Sequence, residues 1–120
     1  MLTPEEWVRQ NFVRYLIEEK HFPAGLISIE KQMILNGMKK RMDILCYSKN
    51  GTPLLMVECK APEVSISQSA FDQIGRYNIK QRLPYLIVTN GMDHYCAKID
   101  FKEASFQFLK NIPSFHEIDG

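Results

Sequence analysis

Met42-Asp43-Ile44-Leu45-Cys46-Tyr47-Ser48-Lys49-Asn50-Gly51-Thr52-Pro53-Leu54-Leu55-Met56-Val57-Glu58-Cys59-Lys60 is the stretch on which the reading of this chain turns. Lys49-Asn50-Gly51 is a turn signal between two apolar runs, so the stretch reads as two antiparallel strands, Met38–Tyr47 and Pro53–Ala61. Side chains alternate along a strand. Leu54, Met56, Glu58 and Lys60 therefore share one face, and Leu55, Val57 and Cys59 the other. The Leu-Leu-Met-Val run is apolar on both faces, as in a strand covered on both sides. A carboxylate and an ammonium at the end of such a strand are costly unless they are paired. With a turn centred near Asn50-Gly51, Asp43 falls opposite the Glu58 region, so two carboxylates and one ammonium converge at the same end of the hairpin.

That trio suits hydrolysis of a phosphodiester. Two carboxylates can hold a hard divalent ion such as Mg2+, which polarises a phosphoryl oxygen and activates water. A lysine beside them can orient or deprotonate the attacking water, or offset charge building on phosphorus. The same residues also make sense as a structural ion pair, Lys60 with Glu58 or with Asp43, and the pattern leaves both readings open. A second Glu-x-Lys, Glu18-Glu19-Lys20, sits on the polar end of the first helix and reads as a solvated face.

Outward from the hairpin, Thr3-Pro4-Glu5-Glu6 is a helix start, with a capping threonine, proline at the first position and Glu6 where a capping box places its acid. Trp7, Val8, Phe12, Tyr15 and Leu16 form a helical stripe that ends before His21-Phe22-Pro23. Leu26–Leu35 alternates, with Ile27, Ile29, Met33 and Leu35 on one face, and Asn36-Gly37 turns it into Met38–Tyr47. Pro62 closes the three-stranded meander. Ser65–Lys80 carries Ile66, Ala70, Phe71, Ile74 and Tyr77 at helical spacing. Tyr85–Thr89 is a short buried strand, Asn90-Gly91 turns it into Met92–Ile99, and Ser105–Leu109 reads as an edge strand. The order helix-strand-strand-strand-helix-strand-strand, with that further strand, is an α/β pattern. It is expected to form one domain over residues 1–120.

Composition narrows the classes. Apolar residues make up 45% and charged residues 24%, as in ordinary globular proteins, and the formal net charge is only +1. Any nucleic-acid contact must then come from local patches. Glu5, Glu6 and Arg9 stand where a signal peptide needs apolar residues, and no apolar run is long enough to span a bilayer, so a cytoplasmic protein without membrane partners is expected. The three cysteines, Cys46, Cys59 and Cys96, show no zinc spacing and read as buried free thiols. His21, His94 and His116 lack metal-ligand companions.

Asp43 followed by Glu58-Cys59-Lys60 resembles the PD-(D/E)xK nuclease signature. The runs Glu6-Trp7-Val8-Arg9-Gln10, Lys40-Arg41-Met42-Asp43-Ile44 and Val57-Glu58-Cys59-Lys60-Ala61-Pro62 are similar to the N-terminal nuclease domain of type I restriction enzyme R subunits. Phe71-Asp72-Gln73-Ile74-Gly75-Arg76-Tyr77 and Leu86-Ile87-Val88-Thr89-Asn90-Gly91 continue the resemblance, which runs from about Pro4 to about Pro113. It implies a restriction-endonuclease-like mixed sheet flanked by helices, with Mg2+ or Mn2+ at Asp43 and Glu58. The Cys59 main-chain carbonyl and Glu6 are implied as further metal contacts, although the capping box alone accounts for Glu6. Lys60 would assist the attacking water. The family's Gln-x-x-x-Tyr motif is matched by Gln73 and Tyr77, implied to support the site. Met42 stands where the signature often has proline.

No Walker-type phosphate loop is present, so ATP-driven translocation is not expected of this chain. That leaves a free-standing nuclease, a module working with restriction-modification subunits, or a silent nuclease fold that binds DNA or protein. DNA, duplex in the first place, is the expected partner. Lys39, Lys40 and Arg41 before Asp43, and Arg76 with Lys80 and Arg82 at the second helix, are candidate phosphate contacts, or simply a solvated surface.

Overall fold

The computed structural model describes residues 2–35, 37–79 and 82–119, and the side chains described exclude those of Met33, Leu35, Met38, Lys40, Tyr77, Asn78 and Ile79. The chain opens with α1 (Pro4–Glu18), which Thr3 caps by accepting the Glu6 N–H at 3.1 Å. Only part of the expected stripe is buried. Val8, Phe12 and Leu16, spaced four apart, face the sheet, while Trp7 stays half exposed.

Six strands follow in one sheet: β1 (Ile27–Leu35), β2 (Met38–Tyr47), β3 (Pro53–Cys59), β4 (Tyr85–Thr89), β5 (His94–Asp100) and β6 (Ser105–Leu109). Their spatial order is their chain order. β3 and β4 run parallel, linked by α2 (Gln68–Ile79), and every other neighbouring pair is antiparallel. This is the mixed sheet flanked by helices that the sequence predicts. Some bounds move: α2 begins at Gln68 rather than Ser65, β5 at His94 rather than Met92, and β3 ends at Cys59, leaving Lys60 just beyond it. A short α3 (Phe115–Ile118), with a Ser114–Glu117 capping box, was not foreseen; Phe115 packs edge-on against Phe22. No described helix is long and apolar enough to cross a membrane.

Two cores sandwich the sheet. On the α1 side Val8, Phe12 and Leu16 meet Ile44, Cys46, Leu55, Val57, Cys59 and Ile87. On the α2 side Phe71 and Ile66 meet Leu45, Met56, Leu86, Val88 and Ala97. β3 and β4 are therefore covered on both faces, which accounts for their unbroken apolar runs.

The β1–β2 pair departs from simple alternation. Met42 belongs to the α2-side core but Ile44 to the α1-side core, so the period of two breaks at Asp43. Across the pair Glu30 adopts a φ of +52°, between the partners Ile29↔Ile44 and Lys31↔Met42. Ile29, expected on a covered face, is 50% exposed. β2 pairs with β1 out to Leu35↔Met38, yet with β3 only from Ile44↔Val57 inward. The segment between Lys31 and Arg41 is thus a two-stranded arm reaching past the sheet. Gly37 turns it with a φ of +77°; Asn36 of the expected turn lies outside the described residues.

Candidate active site

The register of the β2–β3 hairpin decides the site. Its pairs, Cys46↔Leu55, Leu45↔Met56 and Ile44↔Val57, continue by one step to bring Asp43 opposite Glu58. There the Asp43 carboxylate turns to the main chain, and Oδ2 accepts the Cys59 N–H at 2.8 Å. Lys60 Nζ lies 3.2 Å from Glu58 Oε2, both side chains partly solvated. Among the described residues no hydrogen bond or ion pair joins Asp43 directly to Glu58 or Lys60. The three meet through the backbone of Cys59, at the carboxyl end of a strand in a parallel pair, where α/β sheets place ligands.

The end of β4 steadies this corner. The Lys60 N–H donates to the Thr89 carbonyl at 2.8 Å, and buried Asn90 donates from Nδ2 to the Val64 carbonyl at 2.8 Å, so the loop leaving Glu58-Cys59-Lys60 is tied down. Asn90 Oδ1 also accepts the Met92 and Asp93 N–H groups, closing the turn expected at Asn90-Gly91.

On the α1 side a cavity of about 130 Å³ is lined by Thr3, Glu5, Glu6, Arg9, Glu30, Arg41, Asp43 and Cys59. Four carboxylates there face two guanidiniums, leaving the lining two charges negative. Arg9 Nη1 is held by Glu30 Oε1 at 2.7 Å, and Arg41 Nη2 approaches the same oxygen at 3.4 Å. Arg9 Nε is buried without a partner, an unusual state for so strong a donor. Burial, with Asp43 nearby adding to it, pushes the Cys59 thiol up to about 12.

Glu6 does line this cavity, while also keeping its capping contact, Thr3 Oγ1 to Glu6 Oε1 at 3.1 Å. Gln73 is exposed on α2, and the side chain of Tyr77 lies outside the described residues. Of the candidate phosphate contacts, Lys39 and Arg41 are exposed on the β2 half of the arm and Arg76 on α2; the Lys40 side chain and Lys80 lie outside the described residues. Arg82 stands near the Phe101 ring, 6.0 Å from its centroid. Arg9 and Glu30 were not singled out as site residues from the sequence. Arg9 had a signal, lying three residues after Glu6 on the same helix face; Glu30 had none, because its role depends on a backbone irregularity.

Of the expected oxygen donors, Asp43, Glu6 and Cys59 line this cavity, whereas Glu58 does not, nor does Lys60. Among the described residues no group of three or more His, Cys, Asp or Glu side chains is placed to hold a metal ion. Mg2+ does not need such a group, since it binds through one or two carboxylates and keeps several waters.

The profile of the family described as Type I restriction enzyme R protein N terminus matches residues 4–113. A solved fragment described as that of an HsdR subunit of a type I restriction enzyme from Vibrio vulnificus YJ016 superposes with a TM-score of 0.64 at 20% identity, over 98% of this chain. At that identity the likeness shows the fold. This chain spans 24% of the length of that one. No curated protein sequence matches.

Proposed function

The chain belongs to the family of type I restriction enzyme R protein N termini, and from that premise we propose that it is a metal-dependent DNA endonuclease domain centred on Asp43, Glu58 and Lys60. The observation that carries the proposal is the charge of the cavity beside Asp43. A phosphodiester is repelled by a lining two charges negative unless a cation joins it there. Asp43 and Glu58, with the Cys59 carbonyl and Glu6, would hold Mg2+ or Mn2+, which supplies Lewis-acid polarisation of a phosphate oxygen and a more acidic water. The chain's own residues do the rest. Asp43, fastened to the Cys59 N–H, keeps its carboxylate fixed relative to Glu58. Lys60 holds its ammonium against Glu58, from where it can orient the attacking water or offset charge developing on phosphorus. Gln73 and Tyr77 are proposed to support the site from α2, with Lys39, Lys40, Arg41 and Arg76 gripping phosphates. DNA and further restriction-modification subunits are the proposed partners.

A second reading has its own support: Glu58 and Asp43 each already have a structural partner, Lys60 and the Cys59 N–H. On that reading the fold binds DNA or protein without turnover. Calorimetric titration of Mn2+ into wild type and the Asp43→Asn/Glu58→Gln variant, followed by cleavage assays on duplex DNA, single strands and RNA, separates the two. Metal binding lost in the variant, together with cleavage of duplex DNA that also requires Lys60, supports the nuclease. DNA binding indifferent to metal, with no cleavage, supports the silent module. Preferred cleavage of RNA would redirect the substrate class.

A further inference from the structure

We propose that the β1–β2 arm is a groove-reading ribbon, which lies in the major groove of duplex DNA and so delivers the phosphate backbone to Asp43 at its base. The inference rests on the nuclease reading only for what happens at that base.

Among the described residues β2 has no partner beyond Ile44↔Val57 other than β1, and the described side chains from Lys31 to Arg41 are exposed. From Gly37 to Asp43, at about 3.3 Å per residue, it reaches roughly 20 Å. A two-stranded ribbon is one of the two elements that the roughly 12 Å major groove admits. From Lys31 to Arg41 the sequence carries four basic residues and no acid, although the whole chain has a net charge of only +1. Gln32↔Arg41 and Ile34↔Lys39 are cross-strand partners, so these four share one face, and all are exposed, Ile34 by 76%. Basic groups for phosphates, an amide for a base edge and an aliphatic group for a thymine methyl are the chemistry a groove offers to bind. The base of the arm is seated: Glu30 ties it to Arg9 of α1 at 2.7 Å. Since Asp43 is itself the last residue of the β2 half, the position of the arm in the groove sets the distance from Asp43 to the backbone.

The test is fluorescence anisotropy of a labelled duplex in EDTA, at several salt concentrations, for wild type, Gln32→Glu/Lys39→Glu and Asp43→Asn/Glu58→Gln. The arm variant, altered at two exposed positions of the contact face, is expected to lose about tenfold or more in affinity, with a log K against log salt slope shallower by about one. Its Mn2+ titration and circular dichroism should match wild type. Methyl green, a major-groove ligand, should displace the protein, netropsin should not, and duplex RNA, with its deep narrow major groove, should bind more weakly. Wild type that does not bind duplex DNA, an unaltered arm variant, displacement by netropsin alone, or equal binding of duplex RNA would each overturn the proposal. The Asp43→Asn/Glu58→Gln variant should retain arm-dependent binding. If no variant or wild type cleaves DNA while that binding persists, the nuclease reading fails and the ribbon stands.

Discussion

Asp43 Oδ2 accepts the main-chain N–H of Cys59 at 2.8 Å, so the acid of one strand is fastened between the acid and the base of the next. The bond makes Asp43 a structural residue as well as a candidate ligand, and the two roles separate on substitution. Asp43→Ala leaves the Cys59 N–H without its acceptor and should cost about 1–3 kcal/mol in urea unfolding. Asp43→Asn keeps an acceptor oxygen and should cost less, while removing the charge. Equal losses of stability would show that the hydrogen bond contributes nothing.

Lys60 should behave in the opposite way. Its ion pair with Glu58 is partly solvated, and such pairs contribute at most about 1 kcal/mol. Lys60→Met should therefore leave the unfolding midpoint nearly in place while lowering single-turnover DNA cleavage by about 10²–10⁴. A large loss of stability with unaltered cleavage would mark a structural lysine.

The hairpin carrying these residues was legible because its register follows from local rules. Asn50-Gly51 sets the turn, and the apolar runs set which strand is covered on both faces. What stayed hidden comes from contacts between distant segments. Arg9 and Glu30 are 21 residues apart and meet through a left-handed backbone at Glu30 that no residue type announces. Ile29 faces the same side as its buried partner Ile44 but stands on the edge strand, a position that sequence alternation cannot register. α3 was missed because its four residues are too few to show a period, and Phe115 is held by packing on Phe22.

The cysteines give a chemical check on the packing. Burial pushes Cys46, Cys59 and Cys96 up to about 12. At pH 8 a thiol with a pKa of about 12 is thiolate only on the order of one part in ten thousand, so none should react with a disulfide reagent in the folded protein. All should react in denaturant. Rapid labelling of Cys59 without denaturant would show that α1 opens away from the site.

His94 sets a pH window. Its Nδ1 lies 2.7 Å from Thr89 Oγ1, which also accepts the Gly91 N–H. Burial lowers the His94 pKa from its ordinary 6.5, with nearby Asp93 opposing the shift. The folded state therefore binds the proton less readily than the unfolded one. The His94 contribution is fully present above about pH 6.5 and is lost as the pH falls through the depressed value. Thermal unfolding followed downward from pH 7.5 should show a decline below 6.5 that His94→Gln flattens. An unchanged slope in that variant would assign the decline to other groups.

The sheet whose spatial order is its chain order has a consequence for biosynthesis. Each strand emerging from a ribosome finds its neighbour already made, so pairing can advance in step with translation and few unpaired edges wait in the open. One step must pause: β4 cannot lie beside β3 until the intervening crossover has emerged, because a parallel partner needs it. Until then β3, apolar on both faces and the bearer of Glu58, has an open edge. The crossover is thus the interval in which a nascent chain is most exposed to mispairing, and slow codons placed there would be felt first as aggregation rather than as lost catalysis.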